Sequence, residues 1–278
     1  MISEKELREE TAVSSIYNET TIADQIHTKW AGKTVHFARE MDSTNLWIKR
    51  LAKEGAPEGT LALAEFQSAG RGRLGRSWEV PEGTSVMMSI LLRPKFEPQY
   101  APTLTLVMGM AVAKAVKNLG FDVSIKWPND VVVSHKKICG ILTEMGVRDG
   151  KIDYAVIGVG INVNIKGFPE EMADKATSLY LEAGREFDRS QIPGLVMEAF
   201  EGYYEKFAAT CDLSRLKDEY ESILANYNQP VRVLAKEPYE GIARGITDGG
   251  ELLVEKEDGT IAVVSAGEVS VRGLYSYV

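Results

Sequence analysis

Gly70-Arg71-Gly72-Arg73-Leu74-Gly75-Arg76-Ser77-Trp78 is the stretch on which the reading of this 278-residue chain turns. It contains G-x-G-x-x-G, but a dinucleotide fingerprint must open a helix and be followed by a carboxylate about 20 residues on, at the end of a second strand. Here Glu79-Val80-Pro81-Glu82-Gly83 follow, then the apolar run SVMMSILLR at 85–93, which reads as a strand. A nicotinamide-nucleotide site is excluded on that context. Anion chemistry is not. Glycines let backbone approach a ligand closely, and three arginines within six positions repel one another until an anion neutralises them. Guanidinium forks suit phosphates and carboxylates. Taken alone, the loop is equally readable as a solvated basic turn.

Working outward, TVHFAR at 34–39 alternates as a strand does. MDSTNLWIKRLAKEG follows, a helix capped at Ser43 or Thr44 and closed at Gly55. TLALAEF at 60–66 is a strand running into Gln67. Beyond the loop come the 85–93 strand and a helix over 102–119, opened by Pro102 and closed by Gly120. Then come the short strand SIKW and two strands, ICGILTEMGV and KIDYAVIGVGINV, joined by the hairpin dipeptide Asp149-Gly150. Residues 191–225 read as helices. From Gln229 the pattern shortens to strands of about five residues split by Asp248-Gly249-Gly250 and Asp258-Gly259, the spacing of a small β-barrel. Residues 1–31 read as a polar helical leader with weak apolar periodicity at Ile22, Ile26 and Trp30. The expected division is a leader over 1–32, a large domain over 33–225 and a small β-domain over 226–278.

Hydrophobic residues make up 44% and charged residues 26% of the chain, which excludes disorder and fibrous repeats. The longest apolar stretch, 104–116, is broken by Thr105, Gly109 and Lys114 and falls short of the roughly 20 residues a membrane span needs. The N-terminus, MISEKELREE, has no apolar signal core, so the cytoplasm is the expected compartment. Cys139 and Cys211 make no framework and the three histidines are scattered, so no structural zinc site is expected. A net charge of -8 disfavours non-specific DNA binding.

Three further stretches carry chemistry. Lys126-Trp127-Pro128-Asn129-Asp130 presents a lysine at a strand end, an aromatic, an amide and a carboxylate. That kit suits a nucleotide, and is also an ordinary turn. Lys136-Lys137-Ile138-Cys139-Gly140 places a lysine at the mouth of an apolar strand, where edge lysines are often merely solvated. Gly158-Val159-Gly160-Ile161-Asn162-Val163-Asn164 puts glycines where a ligand or another backbone comes close.

Together, and in this order, these stretches resemble the catalytic domain of biotin protein ligases. The resemblance rests on Asp42-Ser43-Thr44-Asn45, Gln67, GRGRLGRSW at 70–78, KWPND at 126–130, KKICGIL at 136–142 and GVGINVN at 158–164. It implies an α+β fold: a mixed, mainly antiparallel sheet flanked by helices, with an SH3-like C-terminal barrel. It implies activation of biotin with MgATP to biotinyl-5'-AMP, then transfer to a lysine of a biotin carboxyl carrier domain. Ser43, Thr44, Asn45, Gln67 and Gly72 would bind biotin. Arg71, Arg73 and Lys137 would bind its carboxylate and catalyse by neutralising the α-phosphate. Arg76, Trp78, Lys126, Asn129 and Asn162 would hold ATP, with Mg²⁺ arriving with the nucleotide near Asp130. Lys136 is expected to point away from Lys137, as successive strand side chains alternate. Bifunctional members of the family carry a DNA-binding domain, which the short leader does not match, so a repressor role is not expected. The oligomeric state, monomer or homodimer, stays open. A lipoate ligase or octanoyltransferase of the same fold, or a non-enzymatic biotin-responsive regulator, are the rival readings.

Overall fold

The computed structural model describes residues 17–266, 270–273 and 277, so residues 1–16 of the expected leader lie outside the described residues. In chain order the large unit comprises α1 (Glu19–Ala23), β1 (Val35–Met41), α2 (Thr44–Lys53), β2 (Leu61–Gln67), β3 (Ser85–Leu92), α3 (Leu104–Asn118), β4 (Val123–Lys126), β5 (Asp130–Val133), β6 (Lys136–Arg148), β7 (Lys151–Asn162), α4 (Glu170–Ala173), α5 (Leu179–Ala183), α6 (Gln191–Thr210) and α7 (Lys217–Ser222). The small unit comprises β8 (Pro230–Leu234), β9 (Tyr239–Ile246), β10 (Leu252–Glu255), β11 (Ile261–Val264) and β12 (Ser270–Gly273).

Seven strands form one sheet in the order β1-β2-β3-β7-β6-β5-β4. Only β1 and β2 run parallel; the other neighbours are antiparallel, giving the expected mixed, mainly antiparallel α+β architecture. β3 is buried at all eight positions, as its unbroken apolar run requires of a central strand covered on both faces. The main core lies between the sheet and α3 with α6; the amphipathic α2 covers the other face, setting Ile48 and Ala52 against Ala62, Leu91 and Val156. The β6–β7 hairpin turns on Asp149 (φ 52°) and Gly150 (φ 76°), the positive values that a two-residue hairpin turn demands.

The described part of the leader departs from a continuous helix. α1 is five residues, capped by Asn18 and Thr21, and residues 24–34 run as turns. Over residues 29–31 the cause is Glu201 on α6. Its carboxylate accepts the amides of Lys29, Trp30 and Ala31 at 2.8–3.1 Å, and donors so spent cannot continue a helix ladder. Ile22 and Ile26 are buried in the main core, and Trp30 packs edge-on against Phe200 and Tyr204.

The small unit is a five-stranded antiparallel sheet, β11-β10-β9-β8-β12. Its core is not detached: Val231, Ala243, Leu252 and Val254 belong to one apolar cluster with Leu106 of α3 and Leu213. Trp127 Nε1 donates to Gly250 O (2.9 Å), and Thr103 Oγ1 to Gly249 O (2.9 Å).

Candidate active site

Two adjoining cavities open over β6 and β7. The smaller, about 60 Å³, is lined by Ser43, Thr44, Asn45, Gln67, Arg71, Gly72 and Lys137 among others; the larger, about 1040 Å³, by Arg76, Lys126, Asp130 and Asn162 among others. Gly72, Arg73, Trp78, Asn129 and Lys137 border both. The residues singled out in the sequence thus converge from β2, β6, β7, the start of α2 and the loops after β2 and β4.

The start of α2 is set by Asp42. It accepts the Ser43 amide at 2.7 Å and both terminal nitrogens of Arg50 at 2.7 and 2.8 Å. Arg50 above all, with the Ser43 amide, holds the Asp42 carboxyl below its usual range. Ser43 sits at the N-cap yet makes no capping hydrogen bond, so its hydroxyl stays available to a ligand. Behind it runs a chain of buried polar groups. The Thr44 amide donates to Gln67 Oε1 (2.8 Å); Ser89 Oγ bonds Thr44 Oγ1 (2.8 Å) and Asn45 Oδ1 (2.6 Å); Asn45 Nδ2 donates to Glu144 Oε2 (2.8 Å). Gly158 makes room: a Cβ there would stand 2.1 Å from Asn45 Oδ1.

Trp78 lies across the floor of the site. A Cβ on Gly160 would meet its ring at 2.5 Å and one on Gly140 at 2.9 Å, so both positions are bare for the indole. Trp78 Nε1 is buried and has no hydrogen-bond partner among the described residues. With the ring in place, the small cavity holds about two waters. Ligand pockets commonly measure about 300–1,000 Å³, so the cavity with the indole in place is smaller than a bicyclic ligand needs.

The three basic groups at the junction are each held by an acceptor. Arg71 Nη1 is 3.2 Å from Glu144 Oε1. Arg73 Nη1 donates to Asn129 Oδ1 (2.7 Å), and its Nη2 to the carbonyl of Ala266. Burial lowers the Arg73 pKa, so its charge is poorly solvated. Lys137 Nζ is 2.6 Å from Asp130 Oδ1. A β-bulge puts it there: Val131 pairs with Cys139 but Val132 pairs with Lys137, leaving Ile138 extra. The bulge brings the Lys137 ammonium within 3.0 Å of where a Gly140 Cβ would be, on the floor of the site. Lys136 Nζ donates to Ala173 O (2.9 Å), and Lys136, like Lys137, lines the larger cavity rather than pointing out of the site.

In the larger cavity Asn162 is 3% exposed; its Nδ2 donates to Thr177 O (3.1 Å), while its Oδ1 has no partner among the described residues. Lys126 lies under the ring of Tyr277 (3.5 Å), whose hydroxyl donates to Asp130 Oδ2 (2.5 Å). Arg76 is exposed at the rim.

The sequence matches the Biotin/lipoate A/B protein ligase family over residues 37–162 and the biotin protein ligase C-terminal domain over 227–272. It is 36% identical over 253 residues to the bifunctional ligase/repressor BirA of Bacillus subtilis, covering 90% of this chain and 78% of that one. The chain belongs to the biotin protein ligases. It is also 30% identical over 259 residues to the biotin–[acetyl-CoA-carboxylase] ligase of Mycobacterium tuberculosis, covering 91% of this chain and 94% of that one. The biotin protein ligase of Aquifex aeolicus, solved with biotin and ATP, superposes with a TM-score of 0.76 at 34% identity, covering 87% of this chain and 99% of that one.

Several residues of this ligase site escaped the sequence reading. Ser89 is the hydroxyl inside SVMMSILL, and Glu144 the carboxylate inside ICGILTEM; a polar residue in a buried apolar strand was the available signal. Lys49, which meets Glu144 at 2.6 Å, stands one helical turn from Asn45 on α2. Tyr277 carried no signal. Trp127, read as part of a nucleotide kit, is 1% exposed and docks the small sheet instead.

Proposed function

We propose that this ligase binds biotin in the smaller cavity and ATP in the larger, joins them at Lys137 and Arg73, and passes the biotinyl group to a lysine of a biotin carboxyl carrier domain. One observation carries the reading: Lys137 and Arg73 border both cavities, where a carboxylate from one side would meet an α-phosphate from the other. Those two anions repel, and fixed cations in a water-poor site stabilise the charge that builds as they meet. A carboxylate oxygen of biotin attacks the α-phosphorus, the bond to the β-phosphate breaks, and pyrophosphate leaves. The carrier lysine, as free amine, then attacks the acyl carbon and AMP departs. Ser43, Thr44, Asn45 and Gln67 hold the ureido ring; Asn162 Oδ1 accepts from the adenine amine. No protein nucleophile is required.

No group of three His, Cys, Asp or Glu side chains placed to hold a metal occurs among the described residues. Asp130 is engaged by Lys137 and Tyr277, so the donor set does not fit a resident ion. Mg²⁺ belongs with the triphosphate, and no step is assigned to it. No helix among the described residues is long and apolar enough to cross a membrane.

The test is incubation with biotin, MgATP and a carrier domain, followed by mass spectrometry. Biotinyl-adenylate on the enzyme and one biotinyl addition on the carrier lysine are expected. Lipoyl transfer in preference to biotinyl transfer, or no adenylate at all, would overturn the reading.

A further inference from the structure

Arg71, assigned above to the ligand anions, is engaged in this structure by a protein anion. Glu144 Oε1 receives it at 3.2 Å and also receives Lys49 Nζ at 2.6 Å, while Oε2 takes Asn45 Nδ2 at 2.8 Å. The Glu144 side chain is 19% exposed, so a lone carboxylate there is poorly hydrated. Burial would raise its pKa, yet the hydrogen bonds of Lys49 and Asn45 and the charges of Lys49 and Arg71 hold it low. Arg71 is the loosest of the three partners: its side chain is 45% exposed, against 23% for Lys49, and its contact is the longest.

We propose that Glu144 is a positioning residue that parks Arg71 beside the biotin pocket, and that Lys49 is the resident counter-charge that lets Arg71 leave when substrate anions arrive. The electrostatics follow from what each departure strands. With Lys49 in place, moving Arg71 onto a carboxylate or phosphate leaves Glu144 still paired, so the transfer is an exchange of one anion for another. Without Lys49, the same transfer leaves Glu144 with the neutral Asn45 amide and no cation, and a half-buried carboxylate resists losing its last counter-charge. Glu144 also steadies Asn45, and through Ser89 and Thr44 the chain reaches Gln67. Parking the loop and shaping the ureido site are thereby coupled through one carboxylate.

The inference rests on Arg71 serving the ligand anions, and the two ideas fail differently. Glu144→Gln keeps an acceptor for Asn45 but removes the charge that holds Arg71. Tryptic cleavage after Arg71 or Arg73 without ligand should speed up, and KM for biotin in adenylate formation should fall, each by about two- to five-fold, the range exposed ion pairs support. Lys49→Gln should do the opposite by a similar factor: slower cleavage and a higher KM for biotin, with kcat for adenylation little changed. Both shifts should vanish when the substitutions are made on an Arg71→Gln background. A structural role alone would move both variants the same way, along with the melting temperature. Shifts of the same sign, or none, overturn the proposal. Arg71→Gln with wild-type adenylation overturns the assignment of Arg71 itself, whereas a slow Arg71→Gln beside unshifted Lys49→Gln overturns only the parking role. If Glu144→Gln does not fold, the sign of the Lys49→Gln shift decides.

Discussion

Lys137 Nζ and Asp130 Oδ1 stand 2.6 Å apart at the junction of the two cavities. Asp130 is also reached by Asn129 Nδ2 (3.1 Å) and by the hydroxyl of Tyr277 (2.5 Å), so the ammonium is fixed by a carboxylate that is itself held on three sides. The pair holds a cation where, on the proposed reading, the biotin carboxylate and the α-phosphate would meet, and it places that cation before they bind.

The first prediction concerns this pair. Lys137→Ala should slow adenylate formation by roughly ten- to several-hundred-fold, since a charge-assisted hydrogen bond is worth about 1.5–3 kcal/mol and more where water is excluded. Each 1.36 kcal/mol is about tenfold in rate. Lys136→Ala removes a bond from the wall of the larger cavity to the Ala173 carbonyl and leaves the Lys137–Asp130 pair intact, so it should change the rate less than about threefold. Pyrophosphate release, measured for both, checks this; equal rates would refute it.

Trp78 gives the second. Its ring covers Gly140 and Gly160, its Nε1 lacks a partner among the described residues, and the cavity beside it is too small for a bicycle while it stays. Biotin binding should therefore move the indole, and tryptophan emission should change in step. Trp30, Trp47 and Trp127 are packed away from the cavities' junction or into the core, so Trp78→Phe should abolish most of the change. A biotin-dependent signal of undiminished size in that variant would show that the ring stays put.

How much of this was legible in the sequence depends on how local the cause was. Strands showed where apolar residues alternate or run unbroken, and Asp149-Gly150 marked its own hairpin because both residues tolerate positive φ. The glycines at 158 and 160 announced a close approach, though not which groups would approach. The bulge at Ile138 was invisible, since it exists only in the pairing of β5 with β6. Alternation alone predicted that Lys136 and Lys137 diverge; their ammonium groups do meet different partners, Ala173 O and Asp130, yet both side chains line the larger cavity, and alternation did not show that Lys137 shares the floor with Gly140. Glu144 and Lys49 lie 95 residues apart, and only the packing of α2 against the sheet brings them together. The turn at residues 29–31 is likewise held from α6, by Glu201.

That carboxylate yields a pH prediction. Burial works to raise the Glu201 pKa, but three backbone amides win and hold it below the ordinary glutamate value. A depressed folded-state pKa adds stability that is complete above the unfolded pKa, about 4.3, and is lost progressively as pH falls from there through the lower folded-state pKa. Glu201→Gln should therefore be less stable than wild type at pH 7, by about 1.5–3 kcal/mol. The gap should narrow from about pH 5 downward. Melting curves of both proteins across pH 7 to 4 test it. A gap that is flat with pH, or widens on acidification, would mean the carboxylate charge is not what anchors residues 29–31.

The last prediction concerns whether the small β-sheet is a separate body. Turn spacing in the sequence suggested a detachable domain from residue 226. The contacts across that boundary argue for one cooperative unit. Trp127, 1% exposed, donates from Nε1 to Gly250 O and from its amide to Asn226 Oδ1, both at 2.9 Å, and Asn226 is itself fully buried. Ile246 N donates to Glu221 on α7 (2.9 Å), and Leu106 packs against the Gly250 turn. Removing residues 226–278 would take away the partners of the Trp127 amide and indole N–H and uncover apolar surface at Trp127, Leu106 and Leu213. Each lost hydrogen bond costs about 0.5–1.5 kcal/mol net and each large apolar side chain brought into water about 1.5–3 kcal/mol, together a large fraction of the roughly 5–15 kcal/mol that stabilises a typical domain. A chain ending at 225 should accordingly be poorly soluble or molten, and the full chain should melt in a single calorimetric transition. Trp127→Phe, which loses the Gly250 bond but keeps most of the ring, should lower Tm by a few degrees without splitting that transition. Two resolved transitions, with a soluble and folded 1–225 fragment, would show that the small sheet is separable after all.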